Sequence, residues 1–324
     1  MLISSTPSFK ALDVTHVRFR VNDFEKAATF LGDFGFGIHK DTTSTGIPCI
    51  YGVGSGSEPF SYVAEQGENG FIGFGFKMQA RDQFEALAKK QQSEIIDFAA
   101  PGGGHCFTLT DPNGYQIEVI WRDSPAVTEA NKGVSRTEDY NMNASFSRIN
   151  EVVRVEKGPC PVRRLGHVVL HVQELAVSEN WYHENFGLIP SDRIYREHQD
   201  DILGLFMRCN LGSTPTDHHS LFLIGDGTTG HNHSAFEVND WDDVMRGHDY
   251  LEKQGYTPHW GIGKHYLGSQ VFDYWVDPFG FVVEHFTDSD KFDASHPPGL
   301  EPVDELLDVQ WGPNHPEKNK PGNK

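Results

Sequence analysis

Seventeen histidines are spread over the 324 residues, most of them in the second half. Histidine is the commonest metal ligand and the usual proton carrier near neutral pH, so that half is where chemistry is to be sought. Three residues stand out there by position: His167, His233 and Glu284. Each falls in a stretch that reads as a strand. If those strands belong to one curved sheet, their side chains converge inside it. Two imidazoles and one carboxylate with positions left open opposite them form the facial triad suited to Fe(II) and O₂. Singly, each has a plainer reading: His167 as a packed core histidine, His233 beside His231 as a turn residue, Glu284 as half of a surface ion pair.

The elements that would hold them repeat along the chain. A β-rich run at 15–21 matches one at 166–172, with His16 and His167 in the same place. Each run precedes an amphipathic helical stretch, 23–33 and 174–185, and each of these meets a glycine stop, Gly35 and Gly187. The halves also end alike. Asp111-Pro112-Asn113-Gly114 and Asp277-Pro278-Phe279-Gly280 are turns feeding strands that carry Glu118 and Glu284. A finer repeat appears at 74–78 with helical 81–91, and at 234–238 with helical 241–254. The pattern predicts four units of strand, helix and several strands, paired into domains over 10–125 and 163–290. A polar linker over 126–162 joins them, and 291–324 reads as loop, lid or disorder from its prolines, glycines and lysines. The first half is an internal control. It has His16 and Glu118, but Gly73 occupies the place of His233, so it is not expected to hold a metal in the same way.

Composition narrows the function classes. A net charge of −19 repels phosphate backbones and anionic lipid, which disfavours nucleic acid and membrane surfaces as partners. No apolar run approaches the roughly 20 residues a bilayer needs, and residues 1–10 lack the pattern of a signal peptide. Cys49, Cys106, Cys160 and Cys209 are widely spaced and form no Cys-x-x-Cys pair. They read as reduced thiols of a cytoplasmic protein. Glycine-rich stretches at 51–57 and 101–104 lack the strand–loop–helix setting of a phosphate loop. Trp181, Phe206, Trp260, Phe272 and Trp275 are candidates for an apolar pocket or for core. His171 shares the strand face of His167 as second layer or packing.

With these motifs the chain resembles the type I extradiol ring-cleavage dioxygenases (catechol 2,3-dioxygenase-like) of the vicinal oxygen chelate, or glyoxalase, superfamily. The resemblance spans about 10–290 and is densest in Gly166-His167-Val168-Val169-Leu170-His171, Asp217-His218-His219-Ser220-Leu221, His231-Asn232-His233-Ser234-Ala235-Phe236, and from His265 through Tyr274-Trp275-Val276-Asp277-Pro278 to Glu284. It implies an α+β fold of four βαβββ modules, with each domain a curved mixed sheet around a funnel. It implies His167, His233 and Glu284 as ligands of Fe(II), or Mn(II) in some members. It also implies His219 as acid–base residue, with His218 one loop residue away, and His265 and Tyr274 as hydrogen-bond donors to substrate oxygens. The activity implied is extradiol cleavage of a catechol-type diol with O₂ in aromatic catabolism, by a cytoplasmic homo-oligomer, a tetramer in the family. Which catechol is used stays open. Two alternatives also stand: a glyoxalase- or isomerase-type metal enzyme on the same scaffold, and a non-catalytic protein that binds an aromatic ligand.

Overall fold

In the computed structural model, residues 9–123, 140–316 and 318 are described. Part of the expected linker, 126–139, lies outside them.

The helices form where local chemistry starts and stops them. Asp23 and Asp240 accept the N–H groups of Lys26 and Asp243 at the starts of Phe24–Phe34 and Trp241–Gln254. Gly35, Gly187 and Gly255 end three helices in the left-handed conformation, at φ 116°, 67° and 84°, which glycine adopts without steric cost. Arg81–Gln91 ends differently, on Gln92 at φ 55°.

Eighteen of the strands gather into two sheets of one design. Eight strands between Ala11 and Trp121 form the first, and ten form the second. In each, the first strand of the half pairs antiparallel with the first strand of its second unit. The latter pairs in parallel with the last strand of the half. Four βαβββ modules therefore make two curled, mixed sheets, an α+β architecture. The second sheet runs, near its centre, Leu221–Ile224, Arg164–His171, Gly230–Glu237, Val282–Thr287 and Val271–Val276.

Residues beyond 290, expected to be loop, lid or disordered, include short paired strands. Gly299–Pro302 pairs in parallel with Ile189–Tyr195 at one edge of the second sheet, and Val309–Trp311 pairs antiparallel with Thr257–His265 at the other. Lys291–Phe292 pairs with Thr216–Asp217. Edge strands present unpaired N–H and C=O groups that any suitably placed segment can satisfy. The segments that do so here are only two to four residues long, too short for a periodic signal.

The two halves pack through aromatic rings. Phe34 stacks on His285 at 3.8 Å, His285 Nε2 donates to the Phe34 carbonyl (2.7 Å), and Phe19 meets Phe281 at 4.5 Å. The Tyr115 hydroxyl, from the first half, donates to the His171 carbonyl (2.9 Å) and accepts from the Gly230 N–H (2.6 Å). It thereby ties the ends of the two strands that carry His167 and His233. Among the described residues no helix is long and apolar enough to cross a membrane.

Candidate metal centre

Sheet register brings the three candidate ligands together. Ala235 pairs with His167 on one neighbouring strand and with Glu284 on the other, and Glu284 pairs in turn with Tyr274. Directly paired residues share a face, so His167, Ala235, Glu284 and Tyr274 form one row across four strands. His233 lies two residues before Ala235, on the same face. The small Ala235 side chain at the middle of the row leaves room between the larger ones. The ligand-type atoms of His167, His233 and Glu284 all lie within 4.8 Å of one another, the one such group among the described residues. The Nε2 atoms of His167 and His233 each stand 3.4 Å from Glu284 Oε2.

Glu284 is fully buried, and neither carboxylate oxygen has a hydrogen-bond partner. Burial by itself would raise its pKa, but the neighbouring imidazoles outweigh burial and hold the carboxyl well below the ordinary range. Burial lowers the pKa of His233 against the pull of Glu284. Metal binding requires both imidazoles to present a lone pair beside the ionised carboxylate. A buried carboxylate without donors costs several kcal/mol unless a cation meets it. Two imidazole nitrogens and this carboxylate are a donor set for a divalent ion, so the residues fit a metal.

A second layer orients the first. The His233 Nδ1–H donates to Asn232 Oδ1 (2.8 Å), Asn232 Nδ2 donates to His171 Nε2 (3.1 Å), and the His171 Nδ1–H donates to Asp226 Oδ2 (2.8 Å). Every donor in this chain meets an acceptor, and it leaves the lone pair of His233 on Nε2, toward Glu284. The Gln270 amide lies 3.5 Å from His167 Nδ1. His171 is thus second layer rather than packing. Asn232 and Asp226 were not signalled by the sequence, beyond Asn232 standing between two histidines.

The remaining candidates surround the same space. His265 Nε2 and the Tyr274 hydroxyl share a hydrogen bond of 2.9 Å, and His265 Nε2 is 4.0 Å from Glu284 Oε1. Burial pushes His265 down to about 3 and Tyr274 well above the ordinary tyrosine value, so both are neutral. The His219 ring lies 4.0 Å from that of His167, and burial lowers its pKa strongly. His219, not His218, lines the cavity; His218 sits behind it against Asp192. Of the five aromatic candidates, Phe206 and Trp260 line the cavity, Phe272 packs behind His265, Trp275 belongs to the core and half-buried Trp181 packs against it.

The cavity has a volume of about 500 Å³. Its walls away from the histidines are apolar, among them Phe206, Phe222, Ile224 and Leu267. Val303 and Leu306 reach it from the segment beyond 290. No Lys, Arg, Asp or Glu lines it among the described residues.

The first half presents the contrast. Gly75 pairs with Glu118 as Ala235 pairs with Glu284, which puts Gly73 at the His233 position. His16 Nε2 lies 2.9 Å from Glu118 Oε2, and the Arg18 guanidinium meets Glu118 Oε1 (2.7 Å) and Glu65 Oε1 (2.5 Å). A guanidinium there supplies the positive charge that the carboxylates need.

Residues 164–285 match the model of the Glyoxalase/Bleomycin resistance protein/Dioxygenase superfamily. Metapyrocatechase 2 of Cupriavidus necator is 34% identical over 209 residues, 64% of this chain and 60% of that protein. The match thus spans about three-fifths of the relative's length. Among solved structures, the Mn(II)-bound glyoxalase from Novosphingobium aromaticivorans superposes with a TM-score of 0.74 at 22% identity, over 95% of this chain and 94% of that one. Homoprotocatechuate 2,3-dioxygenase from Brevibacterium fuscum gives 0.73 at 17%, over 96% and 92%. The 2,3-dioxygenase LapB from Pseudomonas sp. KL28 gives 0.70 at 18%, over 93% and 99%. The chain has the fold of these solved proteins, and its match to the Glyoxalase/Bleomycin resistance protein/Dioxygenase superfamily lies in residues 164–285.

Proposed function

We propose that the protein is an extradiol dioxygenase that opens a catechol-type ring with O₂ at a mononuclear Fe(II) held by His167, His233 and Glu284. Mn(II) suits the same donors. The observation that carries this reading is the buried, unpartnered Glu284 carboxylate between two imidazole Nε2 atoms whose rings line a cavity of about 500 Å³. The relative named metapyrocatechase and the likeness to solved 2,3-dioxygenases support it. When bound, the metal supplies Lewis acidity toward a phenolic oxygen and a common template for diol and dioxygen.

The chain's own groups do the rest. His219 takes a proton from the diol and returns it later, as a neutral imidazole in the cavity wall is able to do. Tyr274 and His265 exchange the hydrogen bond between them for bonds donated to substrate oxygens, and stabilise developing negative charge. The apolar walls exclude water and grip the ring's substituents. Both atoms of O₂ enter the ring-opened product. The first half acts as a domain without metal. The reading includes a cytoplasmic homo-oligomer, a tetramer, which sedimentation tests.

The deciding experiment is anaerobic loading with Fe(II), then O₂ uptake with a panel of catechols. The expected result is one O₂ consumed per ring opened. Iron-loaded protein that consumes no O₂ with any catechol, yet turns over a thiol adduct, would make it a glyoxalase-type enzyme instead.

A further inference from the structure

Behind His219, and outside the cavity, lies a pair that the reading above does not use, a buried histidine and a half-buried aspartate. Asp192 stands on the strand Ile189–Tyr195, and His218 lies in the loop just before the strand Leu221–Ile224. His218 Nε2 is 2.7 Å from Asp192 Oδ2, and His218 Nδ1 is 3.0 Å from His219 Nδ1. We propose that Asp192 and His218 are positioning residues that set which nitrogen of His219 carries the proton, leaving Nε2 bare toward the cavity.

The argument is an accounting of donors. An ionised carboxylate only accepts, so the proton between His218 and Asp192 sits on His218 Nε2. A neutral imidazole protonated there has its lone pair on Nδ1. The facing atom, 3.0 Å away, is another imidazole nitrogen, and two lone pairs at that distance repel. His219 Nδ1 therefore carries a proton and donates it to His218. That leaves His219 with an unprotonated Nε2, the form a base requires. Without the relay either tautomer is open to His219, and the other presents an N–H that cannot accept a proton.

The surroundings hold the pair in place. The His218 N–H donates to the Asp290 carbonyl (2.9 Å), and its own carbonyl accepts from Ser191 Oγ (2.5 Å), which accepts in turn from buried Arg208 (2.9 Å). The His218 ring lies between Phe206 and Phe292 at 5.2 and 5.5 Å. Two glycines make room for the relay. A Cβ on Gly299 would stand 2.2 Å from Asp192 Oδ1, and one on Gly268 would stand 3.1 Å from His218 Nδ1. Gly299 comes from the segment beyond 290, so that segment shapes the relay as well as the cavity.

The tautomer stands on geometry alone, whereas its use as a base rests on the proposed dioxygenase reading. The test separates the two. Full-length protein labelled with ¹⁵N-histidine and loaded with diamagnetic Zn(II) is measured by magic-angle-spinning NMR, with His218→Gln and His219→Gln assigning the resonances. The expected result is a protonated Nδ1 and a bare Nε2 on His219, and the reverse on His218. His219 protonated on Nε2, or His218 protonated on both nitrogens, overturns the proposal. In Asp192→Asn the amide can present either end, so a second His219 tautomer should appear. With it, kcat should fall about tenfold to a hundredfold at unchanged KM and metal content. An unaltered His219 spectrum with unaltered kcat also overturns it. If Asp192→Asn does not fold, the native spectrum still decides. A native spectrum as expected in a protein inactive on every catechol leaves the relay standing and removes the dioxygenase.

Discussion

Replacing Asn232 with alanine isolates the second layer of the metal centre from the first. Asn232 touches no candidate ligand atom on the cavity side; it accepts the His233 Nδ1–H at 2.8 Å and donates to His171 Nε2 at 3.1 Å. Alanine removes both bonds and leaves the three ligands intact. A neutral hydrogen bond contributes roughly 0.5–1.5 kcal/mol net, and one to a charged group about 1.5–3. An imidazole bound to a divalent ion lies between these, since its N–H is polarised without carrying a full charge. Partners that orient ligands are worth about 10- to 100-fold in metal affinity, or about 1.4–2.7 kcal/mol at 1.36 per decade, the same interval reached from the single bond. The assay is anaerobic competition for Fe(II) against a chelator of known strength, repeated with Mn(II) to exclude oxidation as the cause. Asp226→Asn, at the far and partly exposed end of the chain, should weaken binding by no more than about 1 kcal/mol. Equal metal affinity in Asn232→Ala and the unaltered protein would refute the claim that this chain orients His233.

Other outcomes follow from the same geometry. His233→Ala leaves two protein ligands, so metal analysis after anaerobic loading should find iron reduced to trace levels; full stoichiometry would remove His233 from the site. Tyr274→Phe should retain the metal and lower kcat by about 10²-fold, and an unchanged rate would make Tyr274 a packing residue. A cavity that no Lys or Arg lines among the described residues disfavours a charged ring substituent, because burying an unpaired carboxylate costs several kcal/mol. On that basis 3,4-dihydroxyphenylacetate should show a kcat/KM at least about a hundredfold below that of 4-ethylcatechol; parity between them would mean that the substituent points elsewhere. Arg18→Leu strands Glu65 and Glu118 without their cation and should cost about 3 kcal/mol in urea unfolding. A loss under about 1 kcal/mol would show that Arg18 does not carry that balance.

What the sequence revealed follows the reach of its patterns. The repeat was visible because strand, helix and turn signals recur in the same order in both halves, and Gly73 marked the half without a third donor. Sheet register then converted residues far apart in the chain into one row. The second layer was hidden for the opposite reason. Whether His171 reaches Asn232, and Asn232 reaches His233, depends on how two strand ends approach in space, which spacing along either one does not encode. His218 and His219 are adjacent, and only the fold of their loop turns one toward the cavity and the other toward Asp192. Beyond residue 290, proline and glycine mask short strands whose pairing is set by the sheet edges they meet rather than by their own propensity.

The Tyr115 hydroxyl sits between the Gly230 N–H and the carbonyl of His171, its ladder partner. Where a direct rung would draw the strands together, this one has an extra atom in it. Just beyond it the ladder slips in register between His231 and His233. The first half thus supplies a rung between two strands of the second. Shaving one oxygen from Tyr115 would remove that rung, and with it a tie between the two halves, without touching a single ligand.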